Sequence, residues 1–241
     1  DLQKRFHNFD QSGRFTSACS AMIYRDDLLF PRRVGQQHAF TCEPFHNLVQ
    51  HNVIIDNGVS FDSRRDAAES KLDFFASRDR WCRPVMARTG PDGGLWVVVM
   101  YRYMIEHPQW LPQNGKDELR PYYRHGEQLG RIYRIVPSGS QPRAAAKLVG
   151  VPSSELVNVL GSSNGWRRDT AHRMLVQAKE RSAIGPLREM AVSDDNPLAR
   201  LHALCTLEGF DALPAEILQE ALTDEHIGVR RFAVRLAAQQ T

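Results

Sequence analysis

Apolar and polar positions change their rhythm part-way along the chain, and the change predicts two kinds of structure. In the first 138 residues the apolar positions come in short, strand-length runs. Residues 39–42, 48–55 and 95–101 are rich in β-branched and aromatic side chains, which suit a pleated surface. Residues 131–136 alternate as a final strand. Asp56-Asn57-Gly58 and Gly90-Pro91-Asp92-Gly93-Gly94 punctuate these runs as turns. Residues 61–80 and 106–130 keep no such rhythm and read as two long loops, a class that is functional or disordered.

After Ser138 the apolar positions recur at helical spacing. The pattern predicts paired helices at 155–160 with 166–178, 181–192 with 197–208, and 214–222 with 227–238. Ser153 or Ser154 is expected to cap the first helix, Asn164-Gly165 marks a turn, and Pro197 suits a first helical turn. The second helices share Arg-x-x-Ala at Arg168/Ala171, Arg200/Ala203 and Arg230/Ala233, offset by 32 and then 30 residues. Asp194 and Asp224 each lie six residues before their Arg, where a carboxylate can bond the N-terminus of the next helix. Small residues at a fixed period let helical pairs stack closely. The pattern resembles HEAT-like repeats, in which such Asp and Arg residues form a structural ladder.

Composition sharpens this division. Residues 1–138 hold 18 of the 21 aromatics and 7 alanines, whereas residues 139–241 hold 3 aromatics and 15 alanines. The breaker-rich Pro137-Ser-Gly-Ser-Gln-Pro142 reads as a linker between two domains, 1–138 and 139–241. A net charge of +3, with no Lys/Arg run longer than two, excludes a dedicated nucleic-acid binder. Mean hydropathy is −0.44, and no apolar run approaches the ~20 residues of a membrane-spanning helix. Cys19, Cys42, Cys82 and Cys205 form no CxxC or CxxCH, which excludes a zinc ribbon, a thioredoxin motif and an attached c-type haem in this chain. A Cys19–Cys42 disulfide is compatible with the spacing but not established by it. Asp1 is neither an initiator Met nor the start of a signal peptide, so a processed chain or a segment of a longer one is expected.

Several segments taken together resemble a known family. Arg83-Pro-Val85, Gly90-Pro-Asp-Gly-Gly-Leu-Trp-Val97 and Gly130-Arg-Ile-Tyr-Arg-Ile135 are similar to the closing blades of a glucose/sorbosone dehydrogenase-type β-propeller. Phe15-Thr-Ser-Ala-Cys19, Tyr24-Arg-Asp-Asp-Leu28, Cys42-Glu-Pro44, His46-Asn-Leu-Val49, Met100-Tyr-Arg102 and Ile105-Glu-His-Pro108 resemble the large PVC-type membrane-bound dehydrogenase, or haem-binding, proteins. Asn164-Gly-Trp-Arg-Arg-Asp169 and Asn196-Pro-Leu-Ala-Arg-Leu-His-Ala203 extend the resemblance into the helical part. It implies the terminal blades of a β-propeller followed by a HEAT-like helical stack, without the earlier blades and without the cytochrome c module. It further implies export to the periplasm or beyond, oxidation of a sugar or alcohol with pyrroloquinoline quinone and Ca²⁺, and electron transfer to a haem module. Val99 stands where the family usually has Asp. Two blades cannot close a ring, so the remaining blades or a complementary chain are expected as partners.

The candidate catalytic residues are Glu106, His107 and His46, and the candidate cofactor-binding residues are Arg83 and Arg102. Glu106 and His107 follow an apolar strand at a loop exit, and His titrates near neutrality; against this, Glu106 pairing with Arg102 would merely hold the loop. His46 lies near Glu43, but the two face opposite sides of a straight strand. Arg83 offers a planar fork to an anionic cofactor or a sugar hydroxyl, or else braces Asp79. Asp92 reads as a turn residue. Asp26-Asp27 is acidic enough for Ca²⁺, yet adjacent strand residues diverge, so a solvated loop is expected. His172 and His202 lack a third metal ligand at suitable spacing. Trp166, Phe210 and Phe232 read as packing residues of the repeats. Two function classes remain: a dehydrogenase segment, and a non-catalytic scaffold that binds a glycan or a protein. A third expectation, bearing on the material itself, is a degraded fragment.

Overall fold

The computed structural model describes residues 14–33, 35–58, 60–105, 107, 109, 113–140 and 143–239. It is a mixed β-then-α chain whose two units divide between Gln141 and Pro142. In the first unit, β1 (Cys19–Tyr24), β2 (Gln37–Glu43), β3 (Leu48–Asn57) and β4 (Ser60–Arg65) form one antiparallel sheet in chain order, and β5 (Phe75–Ala76) pairs with the start of β3. β6 (Cys82–Thr89), β7 (Leu95–Tyr101) and β8 (Gly130–Ile135) form a second antiparallel sheet. Period-two alternation decides what each sheet buries. Phe40, Cys42 and Val49 from the first sheet meet Ala87, Leu95, Val97 and Val99 from the second in one apolar core. Val99 is buried there, where an unpaired carboxylate would be costly.

The turn between β6 and β7 shows how a hairpin fixes its register. Gly93 takes a positive φ of 87° that side-chain-bearing residues rarely adopt. Buried Asp92 accepts the Gly94 N–H at 3.2 Å and the Trp96 Nε1–H at 3.0 Å, and it forms an ion pair with Arg134 of β8. One carboxylate thus joins the turn to two strands.

Both stretches read as loops contain regular structure. The first holds most of β4, a short turn at Ala67–Glu69, and β5. Every residue of β4 is exposed, so no hydrophobic alternation marks it. The second holds a short helix, α1 (Gln113–Leu119), whose Leu119 packs with Met104 in a small separate cluster. Among the described residues the sheets do not close into a ring or barrel.

In the second unit, α2 (Ser153–Val159) pairs with α3 (Gly165–Ala178), α4 (Ile184–Ser193) with α5 (Pro197–Gly209), and α6 (Ala215–Leu222) with α7 (Ile227–Ala237). Helices α2, α4 and α6 stack in one layer, and α3, α5 and α7 in the other. Pro152 rather than either serine precedes α2, and it supplies no side-chain cap. Asn164, Asn196 and His226 cap the second helices, each accepting a backbone N–H from the first turn. Ala171, Ala203 and Ala233 are fully buried, as close stacking requires. Phe210 and Phe232 pack against this core, whereas Trp166 remains more than one-third exposed.

The Arg residues of the repeat point back along their own connections. Arg168, Arg200 and Arg230 donate to the carbonyls of Ser162, Asp194 and Asp224, six residues earlier in each case. Arg200 also forms a two-pronged bond with Asp224 of the next repeat, at 2.7 and 2.8 Å, with Arg200 buried and Asp224 largely shielded. Asp194 and Asp224 in turn accept the N–H of the following cap residues, Asn196 and His226. Removing one partner of a buried pair strands the other. Arg200→Ala is therefore expected to cost about 3–5 kcal/mol, while Arg200→Met with Asp224→Leu recovers most of that loss. Denaturant unfolding followed by far-UV circular dichroism checks this, and equal losses in the single and double variants would refute it.

Candidate functional site

The residues nominated from sequence are held mainly by backbone. Arg83 on β6 is nearly fully buried, and its guanidinium donates to the carbonyls of Arg102 (3.3 Å), Pro44 (3.1 Å), Phe45 (3.2 Å) and Tyr103 (3.1 Å). It clamps the β2–β3 turn to the segment leaving β7. Arg102 donates to the Tyr123 carbonyl at 3.1 Å. Asp79, the alternative partner for Arg83, accepts instead from the Tyr101 hydroxyl and the Trp81 N–H. His46 Nε2 bonds the Arg14 carbonyl at 2.9 Å. His107 is exposed, and its Nδ1 accepts from the Gln109 N–H. Glu106 lies outside the described residues. Arg83 and Arg102 thus meet through a backbone carbonyl.

Other nominated groups also have local duties. Glu43 is completely buried, and both carboxylate oxygens accept the Ser17 N–H, at 3.1 and 3.0 Å, just before β1 begins. Asn47, in a left-handed conformation at φ 62°, donates to the Cys82 carbonyl at 2.6 Å. Asp26 accepts the Leu28 N–H. His172 shares a 2.8 Å bond with Thr206 in the repeats. Among the described residues no three His, Cys, Asp or Glu side chains gather in a group suited to a metal ion.

A different constellation lies on the first sheet. His38 of β2 and His51 of β3 both face inward, because each alternates with buried apolar neighbours. His38 Nδ1 and His51 Nε2 are 2.9 Å apart, and His51 Nδ1 is 2.9 Å from Glu69 Oε1. With an ionised Glu69 and two neutral imidazoles, His51 Nδ1–H donates to the carboxylate and His51 Nε2 accepts from His38 Nδ1–H. His38 Nε2 is left as a bare lone pair, and among the described residues no donor reaches it or Glu69 Oε2.

Aromatic rings wall this chain of bonds. Phe30 stacks on His38 at 3.8 Å and on His51 at 5.0 Å, and Phe40 flanks His51 at 5.0 Å. Burial, reinforced by His51 and then Arg33, lowers the His38 pKa to about 4. Arg33 is ion-paired with Asp66, and together with the Ala68 N–H it holds the Asp66 carboxyl below its usual range. Beside them opens a cleft of about 260 Å³, lined by Leu29, Phe30, Arg33, Asp66, Ala68 and Glu69 among others. Glu69 links the relay to this cleft.

Residues 2–139 match the model of a family described as a domain of unknown function, DUF7133. The chain belongs to the DUF7133 family. No curated protein and no solved structure matches it. The DUF7133 part of the chain includes the whole His38–His51–Glu69 relay, the cleft beside it and the Arg83 clamp. The sequence reading singled out neither His38, which lies just before the predicted strand 39–42, nor His51, and nothing local signals that they meet. Glu69 sits in a stretch with no readable rhythm.

The lowered His38 pKa makes a signed prediction for this DUF7133 domain. Unfolded His38 takes up a proton near pH 6.5, whereas folded His38 resists until about pH 4. Its stabilising contribution is therefore full above pH 6.5 and is lost as pH falls toward 4, by at most about 1.4 kcal/mol per pH unit. Replacing His38 by Gln should flatten the stability profile in that window. An unchanged pH slope, read from denaturation midpoints, would count against the relay.

Proposed function

We propose that the chain is the closing part of an exported, dehydrogenase-like β-propeller protein, and that it serves there as a ligand-holding scaffold. The cleft carries this reading. Glu69 Oε2 is a buried acceptor lacking a donor among the described residues, beside the apolar surface of Leu29 and Phe30 and the charged Arg33–Asp66 pair. A small hydroxyl-rich molecule, such as a sugar, offers the O–H donors and the mixed polar and apolar faces that such a wall complements.

Two antiparallel sheets with chain-order neighbours support the propeller reading, since a blade is such a sheet of four strands. The second sheet has three strands and ends on the largely exposed β8. Further blades, or a complementary chain, would supply the missing partner strand. The helical stack offers the kind of extended surface on which repeat proteins bind partners, a cytochrome c module among them.

Pyrroloquinoline quinone, which the family resemblance implies, does not fit Arg83, one of the two residues nominated to hold it. The Arg83 guanidinium is turned to four backbone carbonyls instead of presenting its fork to an anion. Redox chemistry is accordingly assigned to other parts of the longer protein.

Titration of the chain with a panel of monosaccharides and polyols, followed by nuclear magnetic resonance, tests the proposal. Binding is expected to weaken about tenfold or more in Glu69→Ala, the loss of one charge-assisted hydrogen bond, and to persist in His107→Ala. No binding across the panel would overturn it. So would dye reduction on adding quinone and Ca²⁺ that disappears in His107→Ala, because the chemistry would then reside here.

A further inference from the structure

Cys19 and Cys42 stand directly opposite one another on β1 and β2. The pairing depends on an irregularity. Going from Met22 to Cys19 takes three steps on β1, whereas their partners Phe40 and Cys42 are two steps apart on β2, so β1 carries one extra residue. Ser20 lies within that bulge and has a positive φ of 53°. Its hydroxyl accepts the Ala87 N–H at 3.1 Å and an Arg88 N–H at 2.9 Å, anchoring the distortion on β6. In an unbroken alternation Cys19 would face away from Met22. The bulge turns Cys19 onto the face where Met22, Phe40 and Cys42 pack, and Cys19 joins that core.

We infer that Cys19 and Cys42 form a cross-strand disulfide when the protein meets a disulfide oxidant. Opposed residues of an antiparallel pair have Cα atoms about 4.5–5.5 Å apart, inside the roughly 4.4–6.8 Å span that a disulfide bridges. Both cysteines are thiols in this structure. Cys19 is the half-buried member and Cys42 the fully buried one, which sets the order of events. The Cys19 thiolate attacks the oxidant, releasing one thiol and leaving a mixed disulfide. Cys42 then displaces the second thiol and closes the bond. Two S–H bonds are lost and one S–S bond forms, while the oxidant takes up two electrons and two protons as it becomes two thiols. Burial raises both thiols, Cys42 to about 12, so closure is slow at neutral pH and quickens as pH rises.

Cys82 is the competing partner. It is buried in the same core, but it is opposed in register by Tyr101 on β7. Cys205 lies on α5 in the other unit and serves as an internal control.

The test is incubation of the full chain with oxidised glutathione at mildly alkaline pH, alkylation of the remaining thiols, and peptide mapping without reduction. Trypsin places the four cysteines on four different peptides, so each pairing is distinguishable. The oxidised chain is expected about 2 Da lighter before alkylation; after it, the product links the Cys19 and Cys42 peptides, carries alkyl groups on Cys82 and Cys205, and melts several degrees higher until it is reduced. Cys82→Ser should retain the link, and Cys19→Ser should abolish both the link and the melting shift. Four alkylated cysteines, a persistent glutathione adduct on Cys19, or a bond to Cys82 would overturn the inference.

Discussion

A guanidinium that has left water must find its hydrogen bonds inside the protein, and Arg83 meets that requirement by drawing two distant segments onto one strand. Its carbonyl partners come from the β2–β3 turn and from the segment leaving β7. Satisfying the charge therefore sets where both sheets end. Glu43 does the same at the start of β1, and Asp92 does it at the β6–β7 turn. The apolar core supplies the gain in burial and opposes a one-residue slip, which would turn its side chains outward. The buried polar groups add to that constraint, because a slipped strand would leave each of them unpaired.

The helical unit obeys the same rule at regular intervals. Each repeat Arg holds the carbonyl six residues earlier, and the buried Arg200 reaches forward to Asp224. That regularity explains why the repeats were legible in the sequence: the Arg-x-x-Ala element recurs with the stacking distance, so periodicity reports tertiary contact. The cap of α2 was not legible, because serine at a helix start is only a local preference, and Pro152 takes the position.

The sheet unit was legible where strands carry a run or an alternation. β2, β3 and β7 do so by burying one face, β8 alternates although it is largely exposed, and β4 is exposed throughout and shows no rhythm. The candidate site was harder still. A sequence reading ranks Arg83, His46 and His107 by residue type and by proximity to turns, and type alone does not say whether a side chain faces a ligand or a carbonyl. His38, His51 and Glu69 are separated by 13 and 18 residues, and their alignment comes from the pairing of β2 with β3 together with the fold-back of the following segment. No local pattern encodes that meeting.

The relay differs from the other buried polar groups in one respect. Arg83, Glu43 and Asp224 are built into bonds that answer their charge, whereas the relay ends in two atoms without partners among the described residues, His38 Nε2 inside the core and Glu69 Oε2. A fold whose other buried charges are so consistently answered gains nothing structural from two orphaned lone pairs, each worth about 1–3 kcal/mol of lost hydrogen bonding. Local inconsistency of this kind concentrates at functional positions, because a site must keep free what its ligand will use. Arg83 is the stronger residue by type, but its bonding capacity is directed inward. Glu69 was no candidate in the sequence, yet it lines the cleft and keeps one buried oxygen without a donor among the described residues.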